Sequence, residues 1–164
     1  MIYDNEQVRR KDRLLDEPQA IELLRTSEYG VLSMADDGQP YAIPLNYVWD
    51  GASSLYAHCA PEGRKLRVLE QNGKVSFCIV GGVHLLPSQF TTEYESLVLE
   101  GRASVVSDEE EKRRALRLLI EKLAPSELAV GDKYIEKSFH RTAVLRIDIR
   151  TWSGKRKKVH RTKE

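Results

Sequence analysis

The stretch YGVLSMADDGQPYAIPLNYVWDGASSLYAHC, residues 29–59, decides the fold. Its short apolar runs are separated by two tight turns, around Asp37-Gly38 and Asp50-Gly51, in which glycine supplies the positive φ that a hairpin needs. The pattern predicts three strands, at residues 29–35, 40–49 and 54–59, that follow one another as a meander. The sheet is therefore expected to be antiparallel in this part of the chain.

The flanking sequence adds three more strands and several helices. Strands are predicted at residues 74–80, 92–106 and 142–152, with a loop or bulged connection at 81–89 and a bulge at Gly101. Helices are predicted after the capping residues Asp16 and Ser107 or Asp108, at residues 64–72, and at 126–138 with an interruption near Gly131. Six strands joined mostly by hairpins indicate a mainly β fold, a small barrel with helices plugging or flanking it.

Composition limits the class of protein. The 164 residues suit one domain, of which 41% are hydrophobic and 31% charged. With 26 basic and 25 acidic residues the net charge is +1, which argues against nucleic acid as the main partner. The two cysteines form no CxxC or zinc spacing, so we expect free thiols and no metal. The charged N-terminus and the lack of a long apolar run predict a cytoplasmic protein without a membrane partner.

The two ends of the chain are polar. We expect a flexible N-terminal arm at residues 1–13, a split-barrel domain at 14–153 and a basic tail at 154–164. The tail contains Lys155-Arg156-Lys157-Lys158 and His160-Arg161, which are able to contact phosphates of a nucleic acid. A solvated tail is favoured, because the overall charge is balanced.

A polar and aromatic cluster stands out within the second and third strands and the loop that follows. It comprises Ile43, Pro44, Leu45, Asn46 and Tyr47, then Tyr56, Ala57, His58 and Cys59, then Glu62, Gly63, Arg64 and Lys65. Gly63 begins a helix whose free N–H groups attract an anion, Lys65 adds a charge, and Arg64 adds a fork that matches phosphate oxygens. The cluster indicates a site for a phosphorylated planar cofactor; the alternative is a solvated loop beside a packed histidine.

Three parts of the sequence resemble a known family. They are residues 30–81, the segment FTTEYESLVLEGRASVV at 90–106, and the strand ending in Thr151-Trp152-Ser153-Gly154-Lys155. They are similar to the Nim-type (5-nitroimidazole resistance) members of the pyridoxamine-5′-phosphate-oxidase-like superfamily, over about residues 9–156. The resemblance implies a six-stranded antiparallel Greek-key split β-barrel of the FMN-binding type. It also implies a homodimer with two FMN sites across the subunit interface.

The same resemblance assigns residues to the cofactor. The strand Ile43–Tyr47 is expected to line the isoalloxazine ring, and the segment Tyr56–Cys59 with Arg64 and Lys65 is expected to follow the ribityl phosphate. Expected near the flavin from the other subunit or the last strand are Thr91, Thr92, Tyr94, Ser96, Trp152 and Lys155. His58 is the candidate catalytic residue. It is expected either to donate a hydrogen bond to the phosphate or to donate a proton to the reduced product. Cys59 points to the opposite face of its strand and is expected to be a packed thiol, not a nucleophile.

Three classes of function remain open at this point. The leading hypothesis is an FMN-dependent oxidoreductase that takes electrons from NAD(P)H and passes them to a small acceptor, such as a nitroimidazole or another nitroaromatic. The second is a binding protein without turnover that holds flavin, the deazaflavin F420 or haem, with His58, His84, His140 or the tail's His160 as the axial ligand. The third is a dimeric interaction module with an empty site.

Overall fold

The structure is a computed structural model and describes residues 1–159. This part of the chain forms eight strands and four α-helices. The strands are β1 Ile2–Tyr3, β2 Tyr29–Asp36, β3 Gln39–Asn46, β4 Val48–Trp49, β5 Ser54–Cys59, β6 Lys74–Leu86, β7 Thr91–Val105 and β8 Ala143–Lys157. The helices are α1 Glu17–Thr26, α2 Arg64–Gln71, α3 Glu109–Leu123 and α4 Leu128–Ser138.

The predicted helix starts at Asp16 and Asp108 are confirmed. The Asp16 carboxylate accepts a 2.8 Å hydrogen bond from the Gln19 N–H, and Asp108 accepts one of 2.7 Å from the Glu111 N–H. Each bond satisfies a backbone donor that a helix start leaves free. The predicted interruption at Gly131 is wrong, since α4 runs through it.

The strands form one sheet in the order β3-β2-β6-β7-β8-β5-β4, with every neighbouring pair antiparallel. The fold class is therefore confirmed: a mainly β, antiparallel split barrel with flanking helices. The described strands number eight instead of six, because β1 and β4 have two residues each and are too short to show a pattern in the sequence. β1 pairs in parallel with β8.

The predicted three-stranded meander is wrong. Residues 40–49 do not form one strand: β3 ends at Asn46, β4 begins at Val48, and the fully buried Tyr47 separates them. The second hairpin therefore joins β4 to β5, and β5 pairs onward with β8 instead of with β3. β3 and β5 approach each other without forming a hydrogen-bonded ladder, which leaves the barrel split between them.

Two apolar cores hold the barrel and its helices. The larger core fills the barrel and includes Leu24 of α1 and Val68 of α2, so these two helices close it. The smaller core lies between α3, α4 and the outward face of β5 and β8, around Tyr56 and Val144. Within residues 1–159, the outward face of β3, β2, β6, β7 and the second half of β8 stays exposed, as at Tyr29, Val80 and Val98.

Both chain ends differ from the boundaries expected from the sequence. β8 continues past Trp152 to Lys157, and its bulge opposite Gly101 appears where it was predicted. Ile2 and Tyr3 pair with Thr151 and Trp152, so the first residues join the sheet. The basic residues misled the boundary prediction, because Lys155, Arg156 and Lys157 still pair with β7. His160 and Arg161 lie outside the described residues.

The connection at residues 81–89 is bulged, one of the two forms expected. β6 continues through a register shift between Gly81 and His84 to Leu86, with Gly82 at a φ of 57°. A short 3-10 turn at residues 87–89 then leads into β7. Beyond the bulge the hairpin leaves Leu85 71% and Phe90 97% exposed. Among the described helices, none has the length and apolar character needed to cross a membrane.

Candidate functional site

The predicted site residues of β3 and β5 flank the split of the barrel. Along β3 the residues alternate, with Ile43 and Leu45 packed against the main core and Pro44 and Asn46 exposed. β5 lies across the split, and four residues separate its end from the start of α2. The start of α2 thus lies near the end of β5, and its Arg64 contacts Asp36 at the end of β2.

The start of α2 is unlike the starts of α1 and α3. Its N-cap is Gly63 at a φ of 126°, no side chain caps it, and its first turn contains no acidic residue. The first turn instead carries Arg64 and Lys65, and the nearest acid, Glu62, precedes the helix and is exposed. A helix start with free N–H groups and added positive charge favours an anion such as a phosphate. A Cβ at Gly63 would meet no atom within 4 Å, so the space in front of the helix is open.

Lys65 faces the end of β5. Burial raises the pKa of the Cys59 thiol, and the positive charge of Lys65 partly opposes this rise. The amine therefore lies near Cys59, and within the described residues it has no carboxylate partner within 4.0 Å. Cys59 itself packs against the main core, as expected of a packed thiol.

Arg64 is committed elsewhere. Its guanidinium donates to the Asp36 carboxylate at 2.8 Å and lies 4.2 Å from the centre of the Tyr41 ring. The fork that the sequence offered to a phosphate thus joins α2 to the β2–β3 turn. The sequence reasoning missed Asp36, because it assigned this residue to the hairpin turn and gave that turn no role beyond joining two strands.

His58 and Cys59 point to opposite faces of β5. His58 pairs with Val144 and lies on the outward face, where it is exposed. Its imidazole makes no hydrogen bond or ion pair with the rest of residues 1–159. The strand alternation thus directs the imidazole away from the face of β5 that lies nearest Lys65. The two side chains can act on one ligand only if the ligand passes around the end of β5.

Four predicted cofactor residues are buried inside the protomer. Tyr47 and Ala57 are fully buried, and Tyr56 and Trp152 are 2% exposed. The Tyr56 hydroxyl donates to the Glu111 carboxylate at 2.7 Å, and the Trp152 ring packs 4.6 Å from that of Tyr3. These side chains support the site from behind and offer no surface to a ligand. The Trp152 Nε1 makes no hydrogen bond within the described residues.

The remaining predicted residues lie far from α2. Thr91, Thr92, Tyr94 and Ser96 belong to the first half of β7, and Lys155 pairs with Ser96 near the end of β8. Cys59 pairs with Ala143 at the opposite end of β8, roughly 40 Å away along an extended strand. One protomer therefore holds two separate groups of predicted residues, and its own chain does not bring them into one pocket.

The register nevertheless places the exposed residues of β3 and the residues of β7 and β8 on one outward face of the sheet, whereas Cys59 and Lys65 lie outside it. An outward row crosses five strands, from Pro44 through Val31, Cys78 and Val98 to Ser153. The next outward positions are Asn46 and Tyr29 on one side and Val80, Ser96 and Lys155 on the other. We call these two rows of residues the outer face.

The middle of the outer face is apolar and open. Tyr29, Val80 and Val98 are 58%, 53% and 42% exposed. The sequence carried a signal for this surface that the sequence reasoning did not use. Apart from Ser76, residues 75–80 are apolar on both faces of the strand, as in strands that are covered on both sides. An exposed apolar patch of this kind marks an interaction surface.

A surface cavity of ≈ 910 Å³ lies beside the end of β3, between α1 and α3. Asn46 and Lys122 both line it. The Lys122 amine donates to the Ser27 carbonyl at 2.6 Å and lies 3.9 Å from the centre of the Tyr47 ring. Burial lowers the pKa of Lys122 to about 8. Nothing in the sequence distinguishes Lys122, because a half-buried lysine on a helix has the same local pattern as an exposed one.

The topology defines an antiparallel split β-barrel with flanking helices. A family model described as pyridoxamine 5'-phosphate oxidase matches residues 16–156. The chain belongs to this family. No curated protein gave a match.

Solved structures with the same fold come from several bacteria. A candidate 5-nitroimidazole antibiotic resistance protein from Bacteroides thetaiotaomicron is 24% identical, with a TM-score of 0.71 over 87% of this chain and 85% of its own. The flavocytochrome Anf3 from Azotobacter vinelandii is 22% identical, with a TM-score of 0.75 over 91% and 71%. An FAD- and haem-binding protein from Mycobacterium smegmatis is 22% identical, with a TM-score of 0.76 over 91% and 75%. At these identities the likeness concerns the fold.

Proposed function

We propose that this protein is a homodimeric flavin-dependent reductase that binds FMN at the subunit interface and reduces a small molecule such as a nitroimidazole or another nitroaromatic. The observation that carries the proposal is the start of α2, an uncapped helix N-terminus with Gly63 and Lys65 beside the split of the barrel. Family membership and the flavin-binding proteins among the structural neighbours support it.

The start of α2 suits the phosphate of the cofactor. The free N–H groups of the first turn and the Lys65 amine supply donors, and no acidic side chain of that turn competes for them. Lys65 carries the main charge, because Arg64 is held by Asp36. The anion then lies at the end of β5, which Cys59 closes on the inner side.

The exposed side of β3 suits the ring. Pro44 and Asn46 present a flat, uncharged strip, and the second edge of β3 is unpaired. A planar ring laid against this strip leaves the other face of the ring open to the partner. The residues proposed to cover it are Ser96 and Lys155 of the partner subunit, because in one protomer they lie on the far side of the outer face.

When bound, the flavin supplies hydride and single-electron transfer. The protein residues bind and orient it, and they exclude water from one face of the ring. His58 is the proposed proton donor to the reduced product, since its imidazole is exposed on the outward side of β5 and carries no internal partner. NAD(P)H is the proposed donor of electrons.

The absorption spectrum of the purified protein tests the proposal. Bands near about 375 and 450 nm indicate bound flavin. Release by heat followed by chromatography then separates FMN from FAD, which matters because two structural neighbours are FAD-binding proteins. Anaerobic reduction with NADH or NADPH, followed by a nitroimidazole, measures turnover. A protein that neither contains flavin nor quenches the fluorescence of added FMN contradicts the proposal.

A second candidate, a haem-binding protein, is favoured by the flavocytochrome and the haem-binding protein among the neighbours. His58, His84 and His140 are the exposed histidines of the described residues. An intense Soret band after haem titration, lost in His58→Ala, supports this candidate over the reductase.

A further inference from the structure

Lys122, in the last turn of α3, has surroundings that are unusual for a lysine. Its half-buried amine lies 3.9 Å from the centre of the Tyr47 ring and donates one hydrogen bond, to the Ser27 carbonyl at the end of α1. A charged amine carries three N–H donors, so two of them have no acceptor within residues 1–159. The place therefore suits a positive charge with a single N–H better than a full ammonium group.

The amine stands at the wall of the ≈ 910 Å³ cavity between α1 and α3. The apolar part of this wall consists of Val48, Trp49, Leu118 and Leu123. Two charged lining residues are already paired, Arg25 with Glu22 and Glu121 with Arg117. Glu28 also lines the cavity, and within the described residues no cation pairs with it at 4.0 Å or less. The cavity therefore suits a neutral, apolar guest and repels an anion.

The same surroundings make the Lys122 amine available as a nucleophile. Only the neutral form of an amine attacks a carbonyl carbon. Burial lowers the pKa of Lys122 from 10.5 to about 8, with the charge of Glu28 acting in the opposite direction. At neutral pH this lowering increases the neutral fraction by more than about a hundredfold.

We propose that Lys122 is a covalent binding site for neutral aldehydes with an apolar remainder, which it holds in the cavity as a protonated imine. Counted from the ammonium form, a C=N bond replaces the C=O bond of the aldehyde, and the oxygen leaves as water with two of the three nitrogen protons. The imine cation keeps its charge over the Tyr47 ring, and its single N–H matches the Ser27 carbonyl. An acyl group would remove the charge and the attraction to the ring, so the geometry favours an aldehyde over an acyl donor.

This site and the proposed flavin site are separate. Among the described residues, the lining of the cavity includes Asn46 of β3 but no residue of α2, where the cofactor phosphate is proposed to bind. Labelling at Lys122 and flavin binding can therefore succeed or fail independently, and loss of one leaves the other standing.

Reductive labelling of the full-length protein tests the inference. Hexanal or formaldehyde is added at neutral pH with cyanoborohydride, whose hydride converts the imine to a stable alkylamine. Peptide mass spectrometry then measures the rate of labelling at each lysine, with Lys133, an exposed lysine of α4, as the internal standard. The matched variant is Lys122→Arg, which keeps the positive charge and is expected to lose the fast hexanal adduct while Lys133 is labelled as before.

We expect hexanal to label Lys122 at least tenfold faster than Lys133. The preference is expected to be larger with hexanal than with formaldehyde, because only hexanal contacts the apolar wall of the cavity. Equal hexanal rates at the two lysines overturn the inference. A preference that is no larger with hexanal than with formaldehyde also overturns it, because the reactivity of the amine would then need no cavity.

Glyoxylate tests the class of ligand, because it combines an aldehyde with a carboxylate. The charge of Glu28 is expected to remove most of the preference for Lys122. Glyoxylate that prefers Lys122 as strongly as hexanal does would overturn the assignment to neutral, apolar aldehydes.

Discussion

The phenol of Tyr47 donates a 2.6 Å hydrogen bond to the carbonyl of Leu24 at the end of α1. The ring lies in the main core, 5.3 Å from that of Phe77 at an interplanar angle of 76°. Burial raises the pKa of Tyr47 far above its ordinary value, so the phenol stays a donor at any pH at which the protein folds. Tyr47 therefore fixes the turn between β3 and β4 and the helix that closes the barrel.

Tyr47→Phe separates this structural role from cofactor binding. Removing the hydroxyl leaves a buried carbonyl without its donor, and we expect a loss of about 1–2 kcal/mol in the free energy of unfolding. Urea denaturation measures the loss. Flavin affinity is expected to stay within about twofold, because the side chain does not reach the ligand. A large drop in affinity at unchanged stability would place Tyr47 at the flavin after all.

Lys65 and Arg64 form a matched pair for testing the phosphate site. Replacing Lys65 by Gln removes the free charge at the start of α2, and a charge-assisted hydrogen bond of about 1.5–3 kcal/mol corresponds to a rise of roughly 10–100-fold in the Kd for FMN. Lys65→Glu is expected to act more strongly, because it reverses the charge. Arg64→Gln is expected to change the Kd by less than about threefold, since Asp36 already holds the guanidinium. Quenching of FMN fluorescence gives all three values, and equal effects of the two glutamine variants would refute this division of roles.

Dilution tests whether the site spans two chains. If Ser96 and Lys155 of the partner subunit complete the site, flavin release follows dimer dissociation, because a ligand that binds only the dimer is linked to it by mass action. Sedimentation velocity and flavin absorbance, recorded over the same concentration series, are expected to change together. Flavin retained by a species of monomer mass would show that one chain suffices.

Lys122 predicts a pH dependence of stability. Burial lowers its pKa from 10.5 to about 8, with the charge of Glu28 acting in the opposite direction. Between about pH 8 and 10.5 the unfolded chain holds a proton that the folded chain has released, so this group makes the protein more stable as pH rises through that window. Below pH 8 both states are protonated and the contribution is constant and unfavourable.

Urea denaturation of the wild type and of Lys122→Met, at pH 7.5 and pH 9.5, isolates this contribution. The gain in stability between the two pH values is expected to be larger for the wild type, because methionine does not titrate. Lys133→Met, which changes an exposed lysine of α4, controls for the general effect of removing a charge. Equal gains in the wild type and in Lys122→Met would contradict the lowered pKa.

The sequence predicted those elements that local chemistry controls. Asp16 and Asp108 marked helix starts because a side-chain cap needs only neighbouring residues. Gly101 marked the bulge in the sequence. The structure shows why glycine is needed there, since a Cβ would lie 1.9 Å from the Asp148 carbonyl oxygen. The meander failed because strand partners depend on contacts distant in sequence, and nothing local shows that β5 pairs with β8.

Only part of the candidate site could be predicted from the sequence. Gly63 and Lys65 were proposed as an anion site from their order in the chain, and the structure places them at the uncapped start of α2. The burial of Tyr47 and Trp152 and the pairing of Arg64 with Asp36 depend on tertiary packing, which residue type alone does not reveal. The division of the remaining residues between two ends of β8 became visible only with the strand register.

The unpaired edge of β3 has a consequence for how the protein stays dispersed. Pro40 and Pro44 lie opposite residues of β2, which pairs with the other edge of β3. Their ring nitrogens point away from β2 toward the open edge and offer no N–H to a neighbouring molecule. A strand from another chain therefore finds no continuous ladder of donors there, and fibril-like stacking cannot begin at this edge. The gap between β3 and β5 is thus closed to uncontrolled polymerisation.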